Sequence, residues 1–475
     1  MSTRGAPARR SRRLEPARIG GRAASFIALA LVALGLLAGC GGTATPSSSA
    51  TQSTTRTSAA GTLEPVTATP ASRQLEWVIT QLNRSATPSE ALLAEHFSSA
   101  FLAAVPPKQL LAALTALAGQ GMAVTGAFAG QSETQLVAEV TAHAGATFKA
   151  SITVTPTAPH LIEGLLFTPL ASAIASWSGV DAALERLATH ASLYAGVVGG
   201  GEIHALNATQ PGAIGSAFKL YVLGALAQAI RRHTVSWTTP LAINERWKSL
   251  PSGDMRLEPA GTTFALLHYA QQMISVSDNT AADHLIHRLG RAAVEAQLVA
   301  LENHSVERNE PFLTTREMFA LKLAAPASLR DEFAAGDTAV RERLLPSVDA
   351  ITPTLAEASG WTTPRLIDSI EWFASPADLA HAISALEAQA HEPGLSPLRQ
   401  ILAINPGVQL DPATWPYVGY KGGSEPGVIS TTWYLERSDG RAFVLSIVLN
   451  DPDSDISTLG EVSVAEAAIN LLAHA

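Results

Sequence analysis

The sequence predicts an α/β (α+β) chain of two folded units behind a leader and a tether. Three observations carry this. Within 72–170 the hydrophobic period switches from helical to alternating. Within 171–475 strand-like stretches stand at both ends with helices between them. A Ser/Thr/Ala-rich stretch, GGTATPSSSATQSTTRTSAAG, precedes both.

In residues 1–39, seven arginines precede an apolar run from Phe26 to Leu37. That run is too short to span a bilayer comfortably. A charged start with a short apolar core describes an export signal. It ends in Leu37-Ala38-Gly39-Cys40, which resembles a bacterial lipobox. The resemblance implies cleavage before Cys40 and lipid on its sulfur. The expected location is therefore the outer face of the bacterial cell membrane, as a lipoprotein. Cys40 is the single cysteine, so no disulfide, cysteine-zinc site or thiol nucleophile is available. The formal net charge is −9, and the leader carries seven Arg and one Glu, so the remainder is near −15. An acidic chain is a poor partner for nucleic acid or anionic lipid heads. The lipid is the expected membrane contact, and residues 40–71 read as a flexible tether.

The first unit, 72–170, opens with Leu75, Val78, Ile79 and Leu82 at helical spacing. PSEALLAEHFSSAFLAAV reads as a second helix, with Ser89 or Thr87 near its start. PPKQLLAALTALAGQG begins on prolines and ends on glycines, as helices prefer. MAVTGAFAG, TQLVAEVTA, TFKASITVTP and HLIEGLLFTP then read as four strands. Helices followed by a meander predict a small α+β cone. Glu139, His143 and Lys149 are isolated polar residues on solvated strand faces.

The second unit, 171–475, begins with the helix ASWSGVDAALERLATHA, for which Ser178 is a plausible cap. ASLYAGVV and EIHALN flank Gly199-Gly200-Gly201 as a hairpin. GVISTTWYLER and RAFVLSIVLND form another across Ser438-Asp439-Gly440, and a helix near Ser463 to Ala473 closes the chain. The two ends should meet in one sheet. Trp372 and Phe373 read as core, and Ser375 as a helix cap with Pro376 at the first turn.

Three short motifs in this unit carry chemistry. In GSAFKLYVLGALAQAI, Ser216 and Lys219 lie one helical turn apart on a helix that is apolar nearly all round. A serine hydroxyl needs a base, and a desolvated lysine can serve. In SVSDNTAADHLI, Ser277-Asp278-Asn279 precedes a helix and brings a second hydroxyl and an amide. In GYKGGSEPG, Lys421-Gly422-Gly423-Ser424 lies on a strand, where glycines admit a substrate close to the backbone. Each alone is a common pattern of caps and turns. Asp283, His284 and His287 offer too few ligands for a metal and read as a solvated helix face. No cofactor or metal is expected.

Taken together, the order S-x-x-K, S-x-N and K-G-G resembles the penicillin-recognising serine hydrolases, most closely the class A β-lactamases. The resemblance covers about 171–475. It implies a sheet flanked by helices beside a helical lobe, the class A β-lactamase/transpeptidase-like fold, with the site in the cleft. Residue by residue it implies Ser216 as nucleophile, Lys219 as general base and Ser277 as proton relay. Asn279 would bind the substrate amide and Lys421 its carboxylate. The N–H groups of Ser216 and Ser424 would form the oxyanion hole, with Gly423 beside it, while Asp278 is structural. The interval of 144 residues from Ser277 to Lys421 implies an insertion. Glu310-Pro311-Phe312-Leu313-Thr314 mimics the loop that holds a deacylating glutamate, which makes Glu310 the candidate base. Thr314 to Glu317 is a capping box, so a helix starts at once and leaves that loop no room.

GSAFKLYVLGAL, NEPFLTTREMF and IEWFASPADLA, with the small α+β unit in front, are similar to one branch of this family. It holds the Cpe/LpqF lipoproteins of actinobacteria and the clavulanic-acid-cluster esterase-like protein. Within it the front unit is similar to a steroid-isomerase/NTF2-like cone. This implies a serine hydrolase acting through a Ser216 acyl-enzyme on small esters or amides, β-lactam-like compounds among them. Weak esterase activity on acylated cephalosporins is expected over efficient β-lactam hydrolysis. Three readings stand beside it: a true class A β-lactamase, a D-alanyl-D-alanine peptidase, and a wall- or ligand-binding lipoprotein with a decayed site. Nothing in the sequence sets the oligomeric state.

Overall fold

The computed structural model describes residues 63–475 apart from 85–87, 106, 120, 129, 144–146, 170–173 and 409. The expected leader, Cys40 and most of the tether lie outside these residues.

Four helices, Pro70–Leu82, Glu90–His96, Ser99–Ala104 and Pro107–Leu117, precede four strands in the front unit. Ordered structure starts before the expected boundary at 72. Thr69 caps the first helix in a capping box with Ser72, and Glu64 pairs with Ala127 at the sheet edge. The expected second helix is two. It breaks at Phe97, which pairs with Ile162, and Ser98 starts a new turn by accepting from the Phe101 N–H. The strands Ala123–Ala127, Gln135–Thr141, Thr147–Val154 and Ile162–Pro169 form an antiparallel meander in sequence order. Phe148, Ala150, Ile152 and Val154 face the core, and Glu139 stands opposite Lys149.

The second unit is built on a five-stranded antiparallel sheet. Its order is Tyr417–Glu425, Val428–Glu436, Ala442–Asn450, His190–Val197, Glu202–Leu206. The first and last parts of the unit thus share one sheet, with Leu193 opposite Ile447. One face packs on the helices Trp177–Leu187 and Thr458–Ala473 through Leu184, Ile469 and Leu472. The other face packs on Lys219–Arg231 and Pro376–Gln389, where Leu223, Ile383 and Leu386 share a core with Val444 and Val448. Both faces are covered, so Ala442–Asn450 is almost continuously buried rather than alternating.

Two caps differ from the sequence reading. Ser176, not Ser178, caps the first helix, its Oγ accepting from Gly179 N–H at 3.2 Å. The last helix begins at Thr458, a turn early, because Ser457 caps it by accepting from Gly460 N–H. His284 is buried, not solvated. Its Nε2 accepts from Asn244 N–H at 2.8 Å, its Nδ1 lies 2.7 Å from the Thr280 carbonyl, and burial lowers its pKa to about 4. Trp372 and Phe373 are core. Phe373–Ala374 pairs with Gly212–Ala213, the strand that leads into the Ser216 turn.

Candidate active site

The backbone before Ser216 is clamped by the sheet. Asn450 both accepts from Ala213 N–H at 2.8 Å and donates to the Ala213 carbonyl at 2.9 Å. Ser430 Oγ donates to the Ile214 carbonyl at 2.5 Å. The chain then enters a 3₁₀ turn, Gly215–Phe218, ahead of the helix Lys219–Arg231. Gly215 has φ +46°, a left-handed conformation that favours glycine. Ser216 is half-buried in this turn, and Lys219 behind it is fully buried.

A buried ammonium needs partners. Lys219 Nζ has four oxygens in reach: Ser216 Oγ at 3.0 Å, the Ser277 carbonyl at 2.6 Å, Ser277 Oγ at 3.0 Å and Asn279 Oδ1 at 2.6 Å. An ammonium has three donors, so four oxygens exceed its capacity. Burial lowers the Lys219 pKa to about 7, against the opposing pull of Asp278 and Asp283. Near neutral pH a good share of Lys219 is therefore an amine with a lone pair next to the Ser216 hydroxyl.

Ser277 is also held against its preference, at φ +56°. Such conformations cost about 1–3 kcal/mol and persist only where neighbours fix them. Here Ser252 Oγ donates to the Ser277 carbonyl at 2.9 Å, and Asp278 caps the next helix by accepting from Ala281 N–H at 2.7 Å and Met255 N–H at 2.9 Å. Asp278 is structural, as expected. Asn279 is fixed by donating to the Leu250 carbonyl at 2.7 Å.

Lys421 approaches Ser277 from the sheet. Its Nζ donates to Ser277 Oγ at 3.1 Å and to the Gly422 carbonyl. Burial, then the nearby Lys219 charge, holds Lys421 well below the ordinary lysine range. Two lysines thus flank one hydroxyl.

The Lys421 strand lies directly against the Ser216 turn. A Cβ at Gly423 would stand 2.2 Å from the Ile214 carbonyl oxygen and 2.4 Å from Ser216 N. A Cβ at Gly215 would lie 3.1 Å from Ser424 N. Glycine at 423 lets the Ser216 and Ser424 amides stand side by side. At Gly422 a Cβ would meet the Tyr420 hydroxyl at 2.2 Å, and Tyr420 packs on Trp433 with ring centroids 5.1 Å apart.

Ser216, Lys219, Ser277, Asn279, Lys421, Gly423 and Ser424 therefore come together. Glu310 follows a 3₁₀ turn, and partial burial together with Glu295, Glu307 and Glu342 raises its pKa. None of the four Lys219 partners is a carboxylate. Thr314 and Glu317 form the capping box, and Arg291 pairs with Glu317 at 2.6 Å.

One buried cluster carries no sequence motif. Lys322, fully buried in a π-turn at Ala320–Ala324, pairs with Glu371 at 3.2 Å and with Glu425. The other Glu371 oxygen accepts from Gly215 N–H at 3.1 Å and Trp372 N–H at 3.0 Å. One lysine thereby joins Gly215, ahead of Ser216, to Glu425, after Ser424, and to both ends of the largely helical segment 323–370. Burial and Glu371 raise the Glu425 carboxyl well above its ordinary range.

This fold and this site define the class of β-lactamase-like serine hydrolases. The chain belongs to the Beta-lactamase enzyme family, whose model matches residues 176–473. Residues 66–156 match a second family, described as the ORF 12 gene product N-terminal domain. Among solved structures the chain is similar to a β-lactamase from Sphaerobacter thermophilus, at 21% identity over 62% of this chain and 96% of that one, with a TM-score of 0.45. It is similar to PBP-A at 17% identity, over 62% and 96%, with a TM-score of 0.41. A β-lactamase from Francisella tularensis shares 12% identity over 63% and 99%, with a TM-score of 0.45. No curated protein matches the chain.

Proposed function

We propose that the protein is a serine hydrolase that forms an acyl-enzyme on Ser216 with small esters or amides and releases it slowly. The observation that carries this is the contact of a buried, low-pKa Lys219 with both Ser216 Oγ and Ser277 Oγ. The amine of Lys219 takes the Ser216 hydroxyl proton as Oγ bonds to the substrate carbonyl carbon. The carbonyl π pair moves onto oxygen, facing the N–H groups of Ser216 and Ser424. Collapse breaks the bond to the leaving group, which takes the Ser277 hydroxyl proton. Ser277 is replenished from the Lys219 ammonium. Lys421 keeps Ser277 Oγ in place and can donate a hydrogen bond to a substrate carboxylate, and Asn279 faces the substrate amide.

Deacylation needs a base for water. With no carboxylate among the Lys219 partners and Glu310 among other glutamates, weak esterase turnover is favoured over efficient β-lactam hydrolysis. This agrees with the resemblance to the Cpe/LpqF branch and with a cone-like front unit. We place the protein outside the bacterial cell membrane, held by lipid on Cys40, on the strength of the lipobox-like LAGC alone.

Time-resolved intact mass tests the reading. The protein is mixed with a penicillin, an acetoxy-cephalosporin and a phenyl ester, with Ser216→Ala as control. A mass increment that persists and is absent from the control is the expected result. Fast turnover with no trapped adduct would favour a true β-lactamase and make Glu310→Gln the next variant. No adduct and no product would favour a binding protein.

A further inference from the structure

Beside the site lies a cavity of about 700 Å³, walled by the loop 245–256 and by the segment 349–355. That volume suits a small organic ligand. Leu250 lines it, and the Leu250 carbonyl is the group that fixes Asn279. The cavity therefore shares a wall with the catalytic cleft.

Its charge is opposite to that of the chain. Four cations, Arg246, Lys248, Arg256 and Arg316, line it against two carboxylates, Glu245 and Asp349, in a chain of formal net charge −9. Glu245 pairs with Lys248 at 2.7 Å. Burial and the neighbouring Glu317 raise the Asp349 carboxyl to about 6 against the opposing pull of Arg291 and Arg316, so it carries less negative charge than an ordinary aspartate. Arg316 also donates to Thr352 Oγ1 at 2.8 Å. Arg246 and Arg256 remain. Among the described residues neither has a carboxylate partner, and the Arg256 Nε is buried without any hydrogen-bond acceptor. A buried donor left unmade is costly, and guanidinium groups match carboxylates as planar forks. Trp247, stacked on His287 at 4.7 Å, supplies a flat apolar wall.

We infer that this cavity binds a flat organic carboxylate, its anionic end on Arg256 and Arg246 and its ring along Trp247. That the ligand is the distal part of the substrate acylated at Ser216 rests on the hydrolase reading; the binding does not.

Calorimetry with 2-naphthoate on the Ser216→Ala protein tests binding without turnover, with methyl 2-naphthoate as the uncharged control. Naphthoate should bind and its methyl ester should not. Arg256→Met should weaken naphthoate by about tenfold or more, the weight of one charge-assisted hydrogen bond. Arg246→Met, at an exposed position, should weaken it less while leaving the thermal melt unchanged. Equal binding of acid and ester, or equal binding by wild type and both variants, would overturn the assignment. In the catalytic protein, Arg256→Met should raise KM for 4-acetoxybenzoate and leave phenyl acetate unchanged. Arg256-dependent naphthoate binding with neither ester turned over would defeat the hydrolase reading and keep the binding site. An equal KM change for both esters would remove the cavity from the substrate path.

Discussion

The two folded units treat charge in opposite ways. In the front unit the buried polar side chains among the described residues are Thr69, Ser72, Gln81 and Ser98, none of them ionisable. Its Glu139 and Lys149 stand opposite each other on an open sheet face. The second unit buries Lys219, Asp278, Asp283, Lys322, Glu371 and Lys421. Burying a charge costs free energy unless partners surround it. The front unit shows that a helix-and-sheet core forms without any such group. Of the ionisable groups buried in the second unit, Lys219 and Lys421 reach Ser277 Oγ, Lys219 also reaches Ser216 Oγ, and Glu371 holds the Gly215 amide ahead of Ser216.

The sharpest way to break this contrast is Ser216→Ala. Turnover should fall by about 10⁴-fold or more, with an unchanged melting temperature. Residual activity near wild type would move the nucleophile elsewhere. Lys219→Met should cost about 10²–10⁴-fold in acylation rate. Its effect on stability should stay below about 2 kcal/mol, since relief of a buried cation offsets the acceptors left without a donor.

Lys322→Met should reverse that balance. It leaves Glu371 and Glu425 facing each other without their cation, and urea unfolding should show a loss of about 3–5 kcal/mol. Acylation should slow as well, because Glu371 holds the Gly215 turn. In the front unit, Glu139→Ala or Lys149→Ala should cost under about 1 kcal/mol, as surface substitutions do. A large loss there would erase the contrast.

A finer test is the pH dependence of stability. The folded Lys219 pKa is lowered from 10.5 to about 7, so between these values the unfolded chain binds more protons than the folded one. Stability should therefore rise with pH across this window, by at most about 1.4 kcal/mol per unit from this group. Asp283, Glu387 and Glu461, raised to about 7, act in the opposite sense, losing stability as pH climbs toward 7. The difference between wild type and Lys219→Met isolates the lysine, and a flat difference from pH 7 to 10 would contradict its low pKa.

Much of the site was legible because its motifs are local. Ser216 and Lys219 share one helical turn, and the Ser277-Asp278-Asn279 turn announces a cap. The shared sheet was legible from the apolar runs near both ends of the unit. The Lys322 cluster was not, because its partners lie 49 and 103 residues away and no spacing rule links them. The cavity at Arg256 was hidden for the same reason, since residues 349–355, distant in sequence, form one wall. His284 was misread because helical position alone does not say which face a neighbouring loop covers; Asn244 does so here. The front helix broke at Phe97 because pairing with Ile162 outweighed helical propensity.

The central claim is that a neutral, buried Lys219 activates Ser216. Its most direct test is the single-turnover acylation rate with a chromogenic phenyl ester from pH 5 to 10. The account predicts a rate that rises with pH to a plateau, with its midpoint near 7, no acylation in Ser216→Ala, and acylation slowed about 10²–10⁴-fold in Lys219→Met. A rate that is flat across this range in the wild type, or a burst at the wild-type rate in Lys219→Met, would contradict it.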